Sequence, residues 1–131
     1  MVELNLDLIL QELKPLFESY ESGMPVEWVR VHDLPQYAYF NHSAHVNRGV
    51  SCVECHGRID TMETVYQHET LSMGWCLNCH RDPDPRIRDP KLITQLEWGL
   101  DMSDAQRIAE SVHWRDVNHL NPSQDCSTCH R

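Results

Sequence analysis

A five-residue unit, Cys-x-x-Cys-His, occurs three times in this 131-residue chain. The units are Cys52-Val53-Glu54-Cys55-His56, Cys76-Leu77-Asn78-Cys79-His80 and Cys126-Ser127-Thr128-Cys129-His130, and together they hold all 6 cysteines. None is left for a disulfide or a free nucleophile. The unit is the attachment signature of c-type haem. Its cysteines form thioethers to the porphyrin edge, and the next histidine, here His56, His80 or His130, ligates the iron from one face. Three units predict three covalent haem c groups. Paired cysteines with histidines also build tetrahedral zinc sites. The first two units have the spacing of such a site, but the third would be orphaned. Nor does zinc require a histidine directly after the second cysteine each time.

Three haems change what a chain of this kind can bury. Hydrophobic residues make up 40% and aromatics 8%, which is thin for a large all-protein core. Porphyrin discs supply the missing apolar surface, as covalent or metal staples do in small scaffolds. The expected fold is mainly α with much irregular structure, organised around the haems, and the apoprotein should be largely unfolded. The formal net charge is −9, before any haem propionates are counted. Such a field disfavours nucleic acid and anionic membranes and steers basic partner patches; it also serves plain solubility. No stretch approaches the roughly 18 apolar residues of a membrane span. The start carries Glu3, Asp7 and Glu12 without a basic segment, unlike a secretory signal. Because c-type haem is attached outside the bacterial cytoplasm, the motif outweighs the missing signal, and a periplasmic or extracytoplasmic location is expected.

Residues 1–24 read as an amphipathic helix and turn. Leu6, Ile9, Leu10, Leu13, Leu16 and Phe17 fall near 3.6-residue spacing, with Pro15 expected to weaken or kink the end. The helix is expected to be a lid over the haem domain of residues 25–131, with a docking helix as the other reading. Residues 25–39 read as extended, with Val26, Trp28, Val29 and Val31 strand-like or wrapped on a haem edge. Asn41 can cap a short helix carrying His42 and His45. Residues three apart on a helix project from the same side, so the two imidazoles can bind irons in two adjacent haems. Ser51-x-x-Glu54 has the form of a capping box opening the first unit. The proline-rich loop of residues 81–86 separates the first two units from the third. Residues 90–100 and 103–114 read as helices, the second with a Ser103/Gln106 capping box. Trp98 and Trp114 read as core, and Trp75 as packed on a porphyrin. Three irons need three distal ligands. Beyond His42 and His45, the possible ligands are His68, Met62, Met73, His119, His32 and His113, with gap-filling against porphyrin as the alternative role of the methionines.

Phe40-Asn41-His42-Ser43-x-His45, leading to a Cys-x-x-Cys-His unit, resembles the class III multihaem c-type cytochromes. That resemblance implies that His42 ligates the haem of His56 and His45 the haem of His80. It points to the segment between the first two units, and so to His68, for the third distal ligand. A longer similarity runs through Trp28-Val29-Arg30-Val31-His32-Asp33-Leu34-Pro35, the Phe40 to Val46 phrase, Gly57-Arg58-Ile59-Asp60-x-Met62, Leu71-Ser72-Met73-Gly74-Trp75-Cys76 and the closing Cys126-Ser127-Thr128-Cys129-His130-Arg131. It looks like the multihaem subunit of alternative complex III, a bacterial quinol:electron-acceptor oxidoreductase whose subunit carries five haems and a membrane anchor. This chain has three units. In that family Met62 and Met73 belong to the pattern, which admits one His/Met haem of raised potential.

The expected function is electron transfer through three six-coordinate haems, between a donor, for which the resemblance suggests such a quinol-oxidising membrane complex, and a redox partner protein. A haem enzyme reducing a small molecule would need an iron with an open face and a proton-delivering group beside it; His32 or Arg58 could serve, but no constellation singles them out. A passive haem-bearing subunit of a larger assembly is the third reading.

Overall fold

The computed structural model describes residues 10–130. Leu6 and Ile9 of the expected stripe, and Arg131, lie outside them. The chain divides between Arg30 and Val31 into two compact units.

In the first unit, helix α1 spans Lys14–Ser22. Pro15 does not weaken its end but stands in its first turn. There the absent N–H has no intrahelical partner to lose, and the fixed φ suits the helix. Gly23, at φ 69°, closes α1 by donating its N–H to the Ser19 carbonyl. α1 buries no residue, and Leu16 and Phe17 are exposed. Beyond it the chain is irregular, with Trp28 and Val29 each 87% exposed. No strand forms among the described residues, so the strand-like reading of residues 25–39 is replaced by coil. Two isolated antiparallel bridges, Ala38 with His130 and Val50 with Ile87, are the extended pairings among the described residues.

The second unit carries all three Cys-x-x-Cys-His units on short helices. Helix α2 spans His42–Val46, and Asn41 caps it by accepting the Ser43 N–H. α3 (Val53–His56) holds the first unit. A 3-10 turn follows at Ile59–Thr61. α4 (Met73–Arg81) holds the second unit and is capped by the Ser72 hydroxyl. A second 3-10 turn lies at Pro90–Leu92. α5 (Asp104–Val117) opens with the reciprocal Ser103/Gln106 capping box, and α6 (Cys126–Cys129) holds the third unit.

What ties these pieces together is mostly polar. Ile87 is the one buried hydrophobic residue among those described. Its N–H donates to the Ser111 hydroxyl at 3.1 Å, and that hydroxyl donates to Asp84 at 2.6 Å. Arg115 reaches the other oxygen of Asp84 at 2.5 Å. The proline-rich loop therefore docks onto α5 through Asp84, beyond merely separating the Cys-x-x-Cys-His units. Arg88, next along, is buried; it donates to Glu54 of the first unit at 2.7 Å and lies 4.5 Å over the Trp98 ring. Trp98 and Trp114 are half-buried rather than core.

Two local readings give way to this network. Ser51 does not cap α3: its hydroxyl donates to the Ile93 carbonyl at 2.6 Å, while Glu54 holds Arg88. Residues 90–100 do not form an α-helix. They run as turns with i to i−3 bonds, Gln95 to Leu92 and Trp98 to Gln95 among them. Their carbonyls serve tertiary partners instead, Ile93 binding Ser51 and Gln95 binding Arg88 at 3.4 Å. No helix among the described residues is long and apolar enough to cross a membrane.

Candidate functional site

The histidines of the second unit come together in facing pairs. The rings of His42 and His56 have centroids 6.4 Å apart and planes within 9° of parallel. The rings of His45 and His80 have centroids 6.1 Å apart at 47°. Both separations are too wide for a hydrogen bond between rings. Metal–imidazole bonds of about 2.0 Å on each side, plus about 1.1 Å from nitrogen to ring centre, span about 6.2 Å. The centroid separation of each pair thus matches that of two imidazoles on one iron. By contrast, no three His, Cys, Asp or Glu side chains among the described residues are grouped to hold a metal ion by themselves. The residues present suit a metal that brings its own equatorial ligands, as haem does.

One short element supplies one ring of each pair. His42 and His45 are three residues apart on α2, about 4.5 Å along the helix axis. Phe40 braces them: it stacks on His45 at 4.5 Å and meets His42 edge-on at 4.8 Å. Its role was not read from the sequence, although an aromatic residue directly before the Asn41 cap was the available signal.

The hydrogen bond made by one nitrogen of each ring decides which nitrogen is available to a metal. His45 Nδ1 bonds the Asn41 carbonyl at 2.8 Å. His80 Nδ1 bonds the Ser123 carbonyl at 2.5 Å, and His130 Nδ1 the Tyr37 carbonyl at 3.1 Å. A carbonyl only accepts, so each of these Nδ1 atoms carries the proton and Nε2 is left unprotonated, free to ligate a metal. His56 Nδ1 instead meets His32 Nε2 at 3.2 Å, the rings lying T-shaped with centroids 4.4 Å apart. Ligation also needs neutral imidazoles. Burial, foremost, holds His45 below the ordinary value of 6.5. Burial, then the neighbouring His32 and His42, does the same for His56.

The three cysteine pairs are neighbours. In the unattached chain, burial and then repulsion from Cys79 push the Cys55 thiol up to about 12. Burial and then Cys129 raise that of Cys76, and burial raises Cys79. The second unit thus feels both the first and the third. These raised thiols stay protonated near neutral pH.

Of the remaining proposed ligands, Met62 and His68 line one recess of about 330 Å³ with Val53, Gly57 and Arg58. A side chain at Gly57 would stand 2.6 Å from the His68 ring, so the end of the first unit closes directly on it. Met73 is 60% exposed on α4. His113 packs edge-on against Trp114, and His119 is exposed at φ 49°. The ring beside His130 is Tyr37, centroids 5.9 Å apart.

A family model described as cytochrome c7 and related cytochrome c matches residues 38–131. Among curated proteins, none matches the chain.

Proposed function

The chain belongs to the family of cytochrome c7 and related cytochromes c, which are multihaem electron carriers, and from that premise we propose that it moves single electrons through three covalently bound haems. The observation that carries this reading is the two imidazole pairs, His42 with His56 and His45 with His80, whose ring centroids are 6.4 Å and 6.1 Å apart. Iron closed on both faces leaves no position for a substrate, which favours electron transfer over small-molecule reduction.

The residues divide the work as follows. Cys52 with Cys55, Cys76 with Cys79, and Cys126 with Cys129 hold the porphyrins. His56, His80 and His130 are the proximal ligands. His42 is the distal ligand opposite His56, and His45 the one opposite His80. The third distal ligand comes from His68, Met62, Met73 or His119. When bound, each haem supplies a one-electron iron couple whose potential follows axial ligand, burial and hydrogen bonding. The chain's own part is to hold the rings in place and in the right tautomer. The carbonyls of Asn41, Ser123 and Tyr37 do this for three of them. The near-absence of a protein core accords with porphyrins filling the interior.

The reading extends to context. We assign the protein to the periplasm or another extracytoplasmic space, where c-type haem is attached. Its net charge of −9 suits a basic redox partner. The phrases shared with the multihaem subunit of alternative complex III make a quinol-oxidising membrane complex the proposed donor. Absorption spectra of the oxidised and dithionite-reduced holoprotein, with and without carbon monoxide, test the function. Low-spin spectra that carbon monoxide leaves unchanged for the first two haems are expected. Rapid, stoichiometric ligand binding at those haems would overturn it.

A further inference from the structure

Three of the four ring contacts at Nδ1 end on backbone carbonyls; the fourth ends on a side chain. His32 Nε2 lies 3.2 Å from His56 Nδ1. Resting on the assignment of His56 as the first haem's proximal ligand, the chemistry of this contact is fixed. If Nε2 of His56 binds iron, its Nδ1 must carry the proton and donate it. His32 Nε2 must then be the acceptor, which places the proton of a neutral His32 on its own Nδ1. Attachment at one ring therefore selects the tautomer of both. The two ring planes lie at 75° to each other with centroids 4.4 Å apart, and the two nitrogens are within hydrogen-bond distance. His32 is half-buried and lies on the irregular segment before Leu34-Pro35. It is far from α3 in sequence, so only the fold brings it there.

We propose that His32 is the positioning residue of the first haem: by accepting the His56 Nδ1 proton it orients that ring and sets the potential of that haem separately from the other two. A hydrogen bond to the distant nitrogen raises the basicity of the ligating one. A more basic ligand stabilises the ferric iron and lowers the potential. At the other two motif histidines the acceptor is main chain, which no side-chain substitution removes. At His56 it is a side chain, so evolution or mutation can change one potential without rebuilding the fold.

The test is a potentiometric titration of the purified holoprotein, wild type beside His32→Leu, His32→Phe and His32→Gln. Three haems per chain are verified in each first, by haem stain and intact mass; a wild type without them defeats the underlying function and not this proposal. Leu and Phe remove the acceptor with different shapes, and Gln keeps a carbonyl that can accept. The expected result is that Leu and Phe move one of three steps to higher potential, and that it is the step also moved by His42→Ala. Gln should return most of the shift. The low-spin electron paramagnetic resonance signal of the same haem should change with it. No step moving, all three moving together, or Gln behaving like Leu would overturn the proposal.

Discussion

His42 and His45 sit one helical turn apart, yet each faces a different motif histidine. Their removal should therefore be separable. His42→Ala is expected to open one haem and His45→Ala a different one. In each variant, near-infrared magnetic circular dichroism should lose one low-spin haem of three, and carbon monoxide should bind one haem per chain. Loss of two haems from a single substitution would contradict the pairing. The three Cys-x-x-Cys-His units were legible in the sequence because their spacing is fixed within a pentapeptide, and the placing of His42 and His45 on one short helix because Asn41 is a local cap. The groups on their second nitrogens were not. Asn41, Ser123 and Tyr37 act through main-chain carbonyls, which leave no mark on residue type. His32 was visible as a histidine without an assignable task; its partner, His56, is set by folding alone.

Short elements here are held by what they touch more than by what they are made of. The Ser103/Gln106 capping box was readable because both partners lie within one turn. Ser51 and Glu54 have the same spacing, but their side chains go to Ile93 and Arg88, and nothing local announces that. Burial raises the Glu54 pKa and lowers that of Arg88, outweighing their mutual attraction in both cases. A buried pair of this kind is costly to break and cheap to replace. Glu54→Leu alone should cost roughly 3 kcal/mol by stranding Arg88. The double variant Glu54→Leu with Arg88→Met should recover most of that, measured by chemical denaturation of the holoprotein. The turn at Gly49 makes a second prediction. Gly49 has φ 85°, and a Cβ there would lie 2.1 Å from the Arg88 carbonyl oxygen, which is main chain and cannot swing away. Gly49→Ala should destabilise by about 2 kcal/mol or more, lowering the denaturation midpoint while leaving the haem count unchanged.

Taken whole, the molecule has one large buried hydrophobic side chain among the described residues, Ile87, and a set of buried polar contacts around it. A chain of this length ordinarily needs a hydrophobic interior to offset its conformational entropy. Porphyrin surface and thioether links fill that role in this account, so a chain with all six cysteines changed to alanine should lack the native far-ultraviolet circular dichroism and unfold without a cooperative transition. The mainly helical, irregular fold was legible in outline because composition and motif count left little else possible. The docking of the proline-rich loop onto α5 was not, since it depends on Asp84 meeting Ser111 and Arg115 across the fold.

The central claim is that three porphyrins are covalently part of this chain. Intact mass spectrometry of the protein, made in a host that attaches c-type haem and measured under denaturing conditions, addresses it directly. The expected mass is that of the polypeptide plus three haems, unchanged by chelators. The bare polypeptide mass, or one raised only by a metal that chelators strip away, would contradict it.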